Sequence, residues 1–289
     1  MQLRTFSDLA DLRRYFAQHP LTSRAPLAAW ARFASWQLRS RLHQEIEFNW
    51  IGGQRLLLRH GMSGATGNVY VGLQEFFDMM VPLHLLRPGD LFLDIGANVG
   101  AYTILASGVC RANTHAFEPD PNTFRRLKKN VAINKLDGVV EAHNSAVGAT
   151  GGEVAFTVGR DTANRIATEG DSDTRRVRME CLDAIFPGDA PIMMKLDAEE
   201  AEHEVLLGAG KVLANPALKV IELETVTADS AAIMARNGFE LAAYDPFSRT
   251  LSRQGPERKS ANSLYVRDRP FVETRLKSAP PILVLGQTI

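Results

Sequence analysis

One short stretch constrains the fold of this chain more than any other: Asp90-Leu-Phe-Leu-Asp94-Ile-Gly96-Ala-Asn98-Val-Gly100-Ala-Tyr102-Thr103. Leu91 to Ile95 reads as a buried strand that carries an acid at its end, and a glycine-punctuated turn leads from it into a helix near Gly100. An apolar run closed in this way is the first strand–helix unit of a nucleotide-type α/β fold. Glycines let the backbone come close to a ligand, and the free N–H groups of the helix start face it.

The rest of the chain repeats that rhythm. Strands are expected at 91–95, 114–118, 139–143, 192–196, 218–223, 239–244 and 263–266, with helices at 100–108, 121–134, 200–213 and 229–237. Two further strands, 153–158 and 175–180, flank a polar loop. Alternating strands and helices give an α/β fold with a mainly parallel, doubly wound, Rossmann-like sheet. Ahead of it, residues 1–71 read as a helical and hairpin extension. A helix over 7–18 has Ser7 as its N-cap, and a second runs over 26–42 with Leu27, Trp30, Phe33 and Leu38 on its apolar side and Arg32, Arg39 and Arg41 off it. A hairpin follows around Gly52-Gly53; Gly61, Gly64 and Gly67 then mark a loop, either a pocket lid or a linker. A helix over 72–87 opens the main domain, 72–268, and the proline-bearing tail 269–289 is expected to lie over the surface or fray.

Composition narrows the partners. Lys+Arg and Asp+Glu both total 33, so the net charge is +0, and the basic excess of a dedicated nucleic-acid binder is missing. Cys110 and Cys181 form no disulfide framework and no metal-type spacing, the start lacks the apolar core of a signal peptide, and no apolar run reaches membrane-spanning length. The expectation is a cytoplasmic protein without a membrane span. Its oligomeric state is not legible.

The turn chemistry discriminates between ligands. A dinucleotide turn needs Gly-x-Gly-x-x-Gly, and Asn98 stands where the second, pyrophosphate-admitting glycine would be. Asp94 would repel a phosphate and attract an ammonium group. The pair disfavours an NAD(P)-dependent oxidoreductase and suits S-adenosylmethionine (SAM), which is zwitterionic at its amino-acid end and carries no phosphate. Glu118 ends the second strand, where an acid accepts hydrogen bonds from both ribose hydroxyls; its bland alternative is a helix-start acid favoured by the dipole. Asn144, Ser145 and Ala146 end the third strand, where polar groups meet an adenine edge. The fourth strand, Ile192-Met-Met-Lys-Leu196, runs into Asp197-Ala-Glu199-Glu200. Asp197 is the first candidate for a general base that takes the proton of an attacking hydroxyl and Glu199 the second; alternatively both cap the next helix. His203 lies four residues after Glu199, but the sequence supplies no set of ligands for a metal.

Taken together, Asp94-Ile-Gly-Ala-Asn-Val-Gly100 with Tyr102-Thr103, Ala116-Phe-Glu118-Pro119, Asn130-Val…Asn134, Ala146-Val-Gly148 and Lys195-Leu-Asp197-Ala-Glu199 resemble the FkbM-type SAM-dependent methyltransferases. The likeness covers roughly residues 70–267 and includes Asn262-Ser-Leu-Tyr-Val-Arg-Asp268. It implies a Rossmann-like methyltransferase core and methyl transfer to a hydroxyl of a sugar, glycan or secondary metabolite, with S-adenosylhomocysteine (SAH) as product. It adds Gly96, Gly100, Tyr102, Thr103 and Pro119 to the cofactor-binding set. One departure stands out: the family pattern after the fourth strand is Asp-Val-Glu-Gly and an aromatic residue, and here it is Asp197-Ala-Glu199-Glu200-Ala201. A non-catalytic SAM- or glycan-binding module is therefore the alternative from a different class. The loop Asp161-Thr162-Ala-Asn164-Arg165 is expected to face the acceptor.

Overall fold

The computed structural model describes residues 9–159, 164–168, 170–188, 190–253 and 260–289. Helix α1 (Leu9–Gln18) buries Leu12 and Phe16; Ser7, its expected cap, lies outside the described residues. Phe16 meets Trp30, Phe33 and Tyr70 edge-on. Helix α2 (Pro26–Leu42) has proline in its first turn, as expected, but turns another side inward. Ala29, Trp36 and Ser40 are buried, whereas Leu27 and Leu38 are exposed. Burying the large indole of Trp36 gains more apolar area than burying either leucine. Arg32, expected on the solvated side, instead donates through Nε to the Tyr70 carbonyl at 2.7 Å.

Strands β1 (Ile46–Asn49) and β2 (Arg55–Leu58) form the expected antiparallel hairpin around Gly52-Gly53. The glycine-marked loop after it is in fact a helix, α3 (Ser63–Val71), and the long helix expected over 72–87 is the shorter α4 (Phe76–Leu85). Gly67 does not break α3: it keeps an ordinary negative φ and packs against the Gln74 side chain. The break falls at Gly72, with φ +84°.

The chain continues through β3 (Leu91–Ile95), α5 (Ala101–Ile104), β4 (Asn113–Phe117), α6 (Pro121–Ile133) and β5 (Val140–His143). A small separate sheet follows, made of β6 (Ala146–Val147), β7 (Gly152–Thr157) and β8 (Thr174–Glu180). Then come α7 (Leu182–Ile185), β9 (Pro191–Leu196), α8 (Glu202–Leu207), α9 (Gly210–Ala214), β10 (Val220–Leu223), α10 (Ala228–Arg236), β11 (Glu240–Asp245), β12 (Thr250–Arg253) and β13 (Ser263–Val266). The helix expected over 200–213 is split into α8 and α9 by Gly208, where a Cβ would sit 2.2 Å from the Gly148 carbonyl oxygen.

Among the described residues the central sheet has eight strands in the order β12-β11-β13-β10-β9-β3-β4-β5. β5, β4, β3, β9 and β10 run parallel, and β13 runs antiparallel between β10 and β11. The chain winds outward from β3 through β4 to β5, then returns to β9 on the other side of β3. That reversal opens a crevice beyond the carboxyl ends of β3 and β9, the place where open α/β sheets bind ligands.

Both faces of the sheet are covered. Leu206, Val212, Met234 and their neighbours pack one face; Met80, Leu83, Phe92 and others pack the opposite one. The extension has no core of its own: Leu12, Phe16, Trp36 and Leu58 share a cluster with Ala97, Val99 and Leu127. Asn130 of α6 and Asn134 just past its end fasten it. Asn130 accepts from Leu57 N at 2.6 Å and donates to the Val99 carbonyl at 2.8 Å, while Asn134 exchanges two bonds with the Arg55 backbone. The tail does not fray either. It forms α11 (Arg269–Lys277) and a hairpin of β14 (Leu283–Val284) and β15 (Gln287–Thr288). Val272, Leu276, Ile282, Val284 and Ile289 join the main core. Among the described residues no helix is long and apolar enough to cross a membrane.

Candidate active site

The cleft is built where β3 and β9 lie side by side. Gly96, at φ +75°, leaves β3 against the Asp197 backbone; a Cβ there would lie 1.8 Å from the Asp197 carbonyl oxygen, so no other residue fits. Asn98 takes a positive φ of 52°, which asparagine tolerates, and its N–H donates to Glu118 Oε2 at 3.0 Å. Glu118 Oε1 accepts from Asp120 N at 2.8 Å. One carboxylate at the end of β4 thus spans two turns. Burial pushes the Glu118 carboxyl up to about 8, against those two backbone donors.

Asp94 is 1% exposed. Its Oδ2 accepts from Thr103 Oγ1 at 2.6 Å, and its Oδ1 has no hydrogen-bond partner. Burial raises its pKa, with Lys195 pulling the other way. Lys195, buried in β9, holds Asp197 Oδ2 at 2.7 Å and sits 4.7 Å from the centre of the Tyr102 ring. Tyr102 donates its hydroxyl to Glu75 Oε2 at 2.8 Å. Burial alone would lower the pKa of Lys195, but Asp197, Glu75 and Asp94 together raise it, so the ammonium stays charged. Carboxylate oxygens of Asp197, Glu199 and Glu224 lie within 4.8 Å of one another. Burial, then the neighbouring Asp197, raises the pKa of Glu224, so this group of acids holds a proton.

Of the residues expected to bind a cofactor, Asp94, Gly96, Asn98, Tyr102, Glu118, Pro119, Ser145 and Ala146 line this cleft, and both base candidates, Asp197 and Glu199, line it with them. Gly100, Thr103 and Asn144 do not. Gly100 packs beneath the turn on Leu127, Thr103 orients Asp94 from behind, and Asn144 donates to the Glu118 and Pro119 carbonyls. The expected acceptor loop contributes Asn164, which also lines the cleft; Asp161 and Thr162 lie outside the described residues. The sequence reading gave no role to Glu75 or Lys195. A lysine inside an apolar strand was the available signal for Lys195, since lysines are rarely buried without a partner. Nothing local marks Glu75, which reaches the site from the start of α4.

A topological switch point with carboxylates at adjacent strand ends and a glycine turn that lacks the dinucleotide pattern defines an α/β class with an acidic cleft beyond its parallel strands. Within that class the chain belongs to the FkbM methyltransferase family, whose domain model matches residues 94–241. It is 28% identical over 137 residues to a hexuronic acid methyltransferase of Haloferax volcanii, covering 46% of this chain and 56% of that protein. It is 26% identical over 219 residues to the 31-O-demethyl-FK506 methyltransferase of Streptomyces tacrolimicus, covering 61% and 83%. The chain thus spans little more than half the length of the first relative. A solved FkbM methyltransferase from Methylobacillus flagellatus aligns at TM-score 0.43 and 16% identity, over 69% of this chain and 52% of that one. At that score the likeness carries no weight; the fold rests on the sheet order itself.

Proposed function

We propose that this chain is an O-methyltransferase that takes its methyl group from SAM and delivers it to a hydroxyl of a sugar, glycan or small secondary metabolite. The observation that carries this reading is Asp94 Oδ1, a buried carboxylate oxygen without a partner beside a cleft whose walls are rich in acids. A buried, unpaired acceptor is costly, and an ammonium donor relieves that cost. Two further features fit the same cofactor. Glu118 has lone pairs left over after its two backbone bonds, for ribose hydroxyls. Ser145 and Ala146 border the same cleft on the β5 side, where an adenine would lie. When bound, SAM supplies an electrophilic methyl on a sulfonium, a cation that suits an acidic cleft.

The protein's own part is positioning and proton removal. Asp197 accepts the proton of the attacking hydroxyl, and Lys195 fixes its carboxylate in place. Glu224 shares the acid cluster and holds its proton. The acceptor class follows the named activities of the two relatives, one on a hexuronic acid and one on 31-O-demethyl-FK506.

Separate thermal-shift measurements with SAM, SAH and NAD test the cofactor: the first two are expected to raise Tm, and stabilisation by NAD alone overturns the reading. Calorimetry and turnover with methyl-labelled SAM over a panel of uronic acids and polyhydroxylated metabolites test the roles. Glu118→Ala is expected mainly to weaken SAM affinity, and Asp197→Asn to lower turnover more than affinity. Tight SAM binding with no turnover on any acceptor favours the binding-module alternative.

A further inference from the structure

A second cluster of ligating side chains lies at the sheet edge, apart from the acidic cleft. The parallel pairing of β4 with β5 sets His115 opposite Glu141 and Phe117 opposite His143. Side chains two apart on a strand share a face, so Glu141 and His143 project together and His115 meets them from the neighbouring strand. His115 Nδ1 is 3.0 Å from His143 Nε2, Glu141 Oε1 is 3.6 Å from that same nitrogen, and Glu141 Oε2 is 3.9 Å from His115 Nδ1. A tetrahedral ion with bonds of about 2.0–2.2 Å holds its ligands roughly 3.3–3.5 Å apart, and the three observed separations bracket that spacing.

The surroundings match those of a metal-binding histidine. His143 Nδ1, the ring nitrogen turned away from His115, faces Glu180 Oε2 at 3.7 Å, and Ser145 Oγ anchors that carboxylate at 2.7 Å. A metal-bound imidazole is commonly oriented by a carboxylate on this side of the ring, and Glu180 stands there just beyond direct hydrogen-bond distance. Phe117 stacks on the His143 ring at 4.3 Å and 10°, which limits its rotation. Glu141 is 66% exposed, so an ion can enter and keep a water as a further ligand.

We propose that His115, Glu141 and His143 bind a divalent transition-metal ion of the zinc, cobalt or nickel type, which fastens β5 to β4 next to the cleft. Two imidazoles and one carboxylate select such ions over magnesium or calcium. His143 directly precedes Asn144 and Ser145, so the ion would stiffen the strand end that borders the cleft. The site does not depend on the methyl-transfer reading.

Titration of the metal-free protein with Co2+ tests it. The expected result is visible ligand-field absorption of a four- or five-coordinate site, saturating at one equivalent and displaced by Zn2+. His143→Gln is expected to abolish the absorption. Glu141→Gln, on an exposed side chain, is expected to weaken binding, and Glu180→Gln to weaken it by a smaller factor. If His143→Gln does not fold, the glutamate variants decide. The proposal is overturned if the wild-type protein gives no such absorption. It is equally overturned if Co2+ binding survives Glu141→Gln unchanged and is lost in Asp197→Asn, which would move the ion to the acidic cleft.

Discussion

Glu200 holds a φ of +77°, and Glu199 before it +47°. Where the family pattern has glycine, this chain places a glutamate in the left-handed region, with its strain. A left-handed non-glycine residue costs roughly 1–2 kcal/mol, and glycine gives back about 0.5–1 in unfolded-state entropy. Glu200→Gly is therefore expected to stabilise the protein by about 0.5–1 kcal/mol in urea denaturation; a loss of stability would mean that the exposed carboxylate makes a contact worth more than the strain. Glu118 makes the pH prediction. Its folded-state pKa, about 8, lies above the ordinary carboxyl value, so its contribution is present below pH 4.5 and lost as pH rises through 8. The Tm of Glu118→Gln relative to wild type is expected to climb between pH 5 and 8 and level off above. A flat difference would remove burial as the dominant influence on this group.

At the scale of elements, bounds were more legible than packing. Each of the five parallel strands was read to within a residue or two, because turn residues bound each of them. Helix α2 was read over its observed bounds but with another side inward, because Trp36 decides which side is buried, and α3 was read as a loop because its glycines sit inside a helix. Strand β12 was missed because its burial comes from one residue, Leu251. The tail misled most. Its prolines suggested fraying, yet Leu276 is 1% exposed within the main core. Leu276→Ala is expected to cost about 3 kcal/mol, read as a lower denaturant midpoint with unchanged slope. A cost near zero would return the tail to the surface.

Over the whole molecule the charges cancel, yet their distribution is uneven. Glu75, Asp94, Asp197 and Glu222 all act on the Lys195 ammonium, whose place in the strand was visible in the sequence but whose partners were not. The acids at the ends of β3, β4 and β9 could be read because sheet topology dictates where strand ends converge; Glu75 could not, because only the packing of α4 brings it there. Lys195→Met removes one side of a buried ion pair and is expected to cost about 3–5 kcal/mol, with loss of turnover in whatever protein still folds. Wild-type stability in that variant would mean that the surrounding acids are neutral.

The switch point also carries a consequence for how the protein is made. Phe92 pairs with Met193, so the two strands that frame the crevice are separated by the whole β4-to-β8 region of the chain. Contacts this remote in sequence form slowly. A nascent chain that has not yet emerged past Leu196 has its glycine turn and Asp94 but no second wall, so ligand affinity arrives as a late step of synthesis. A small molecule that binds this crevice can therefore steady the finished protein, but it cannot guide the early stages of its folding.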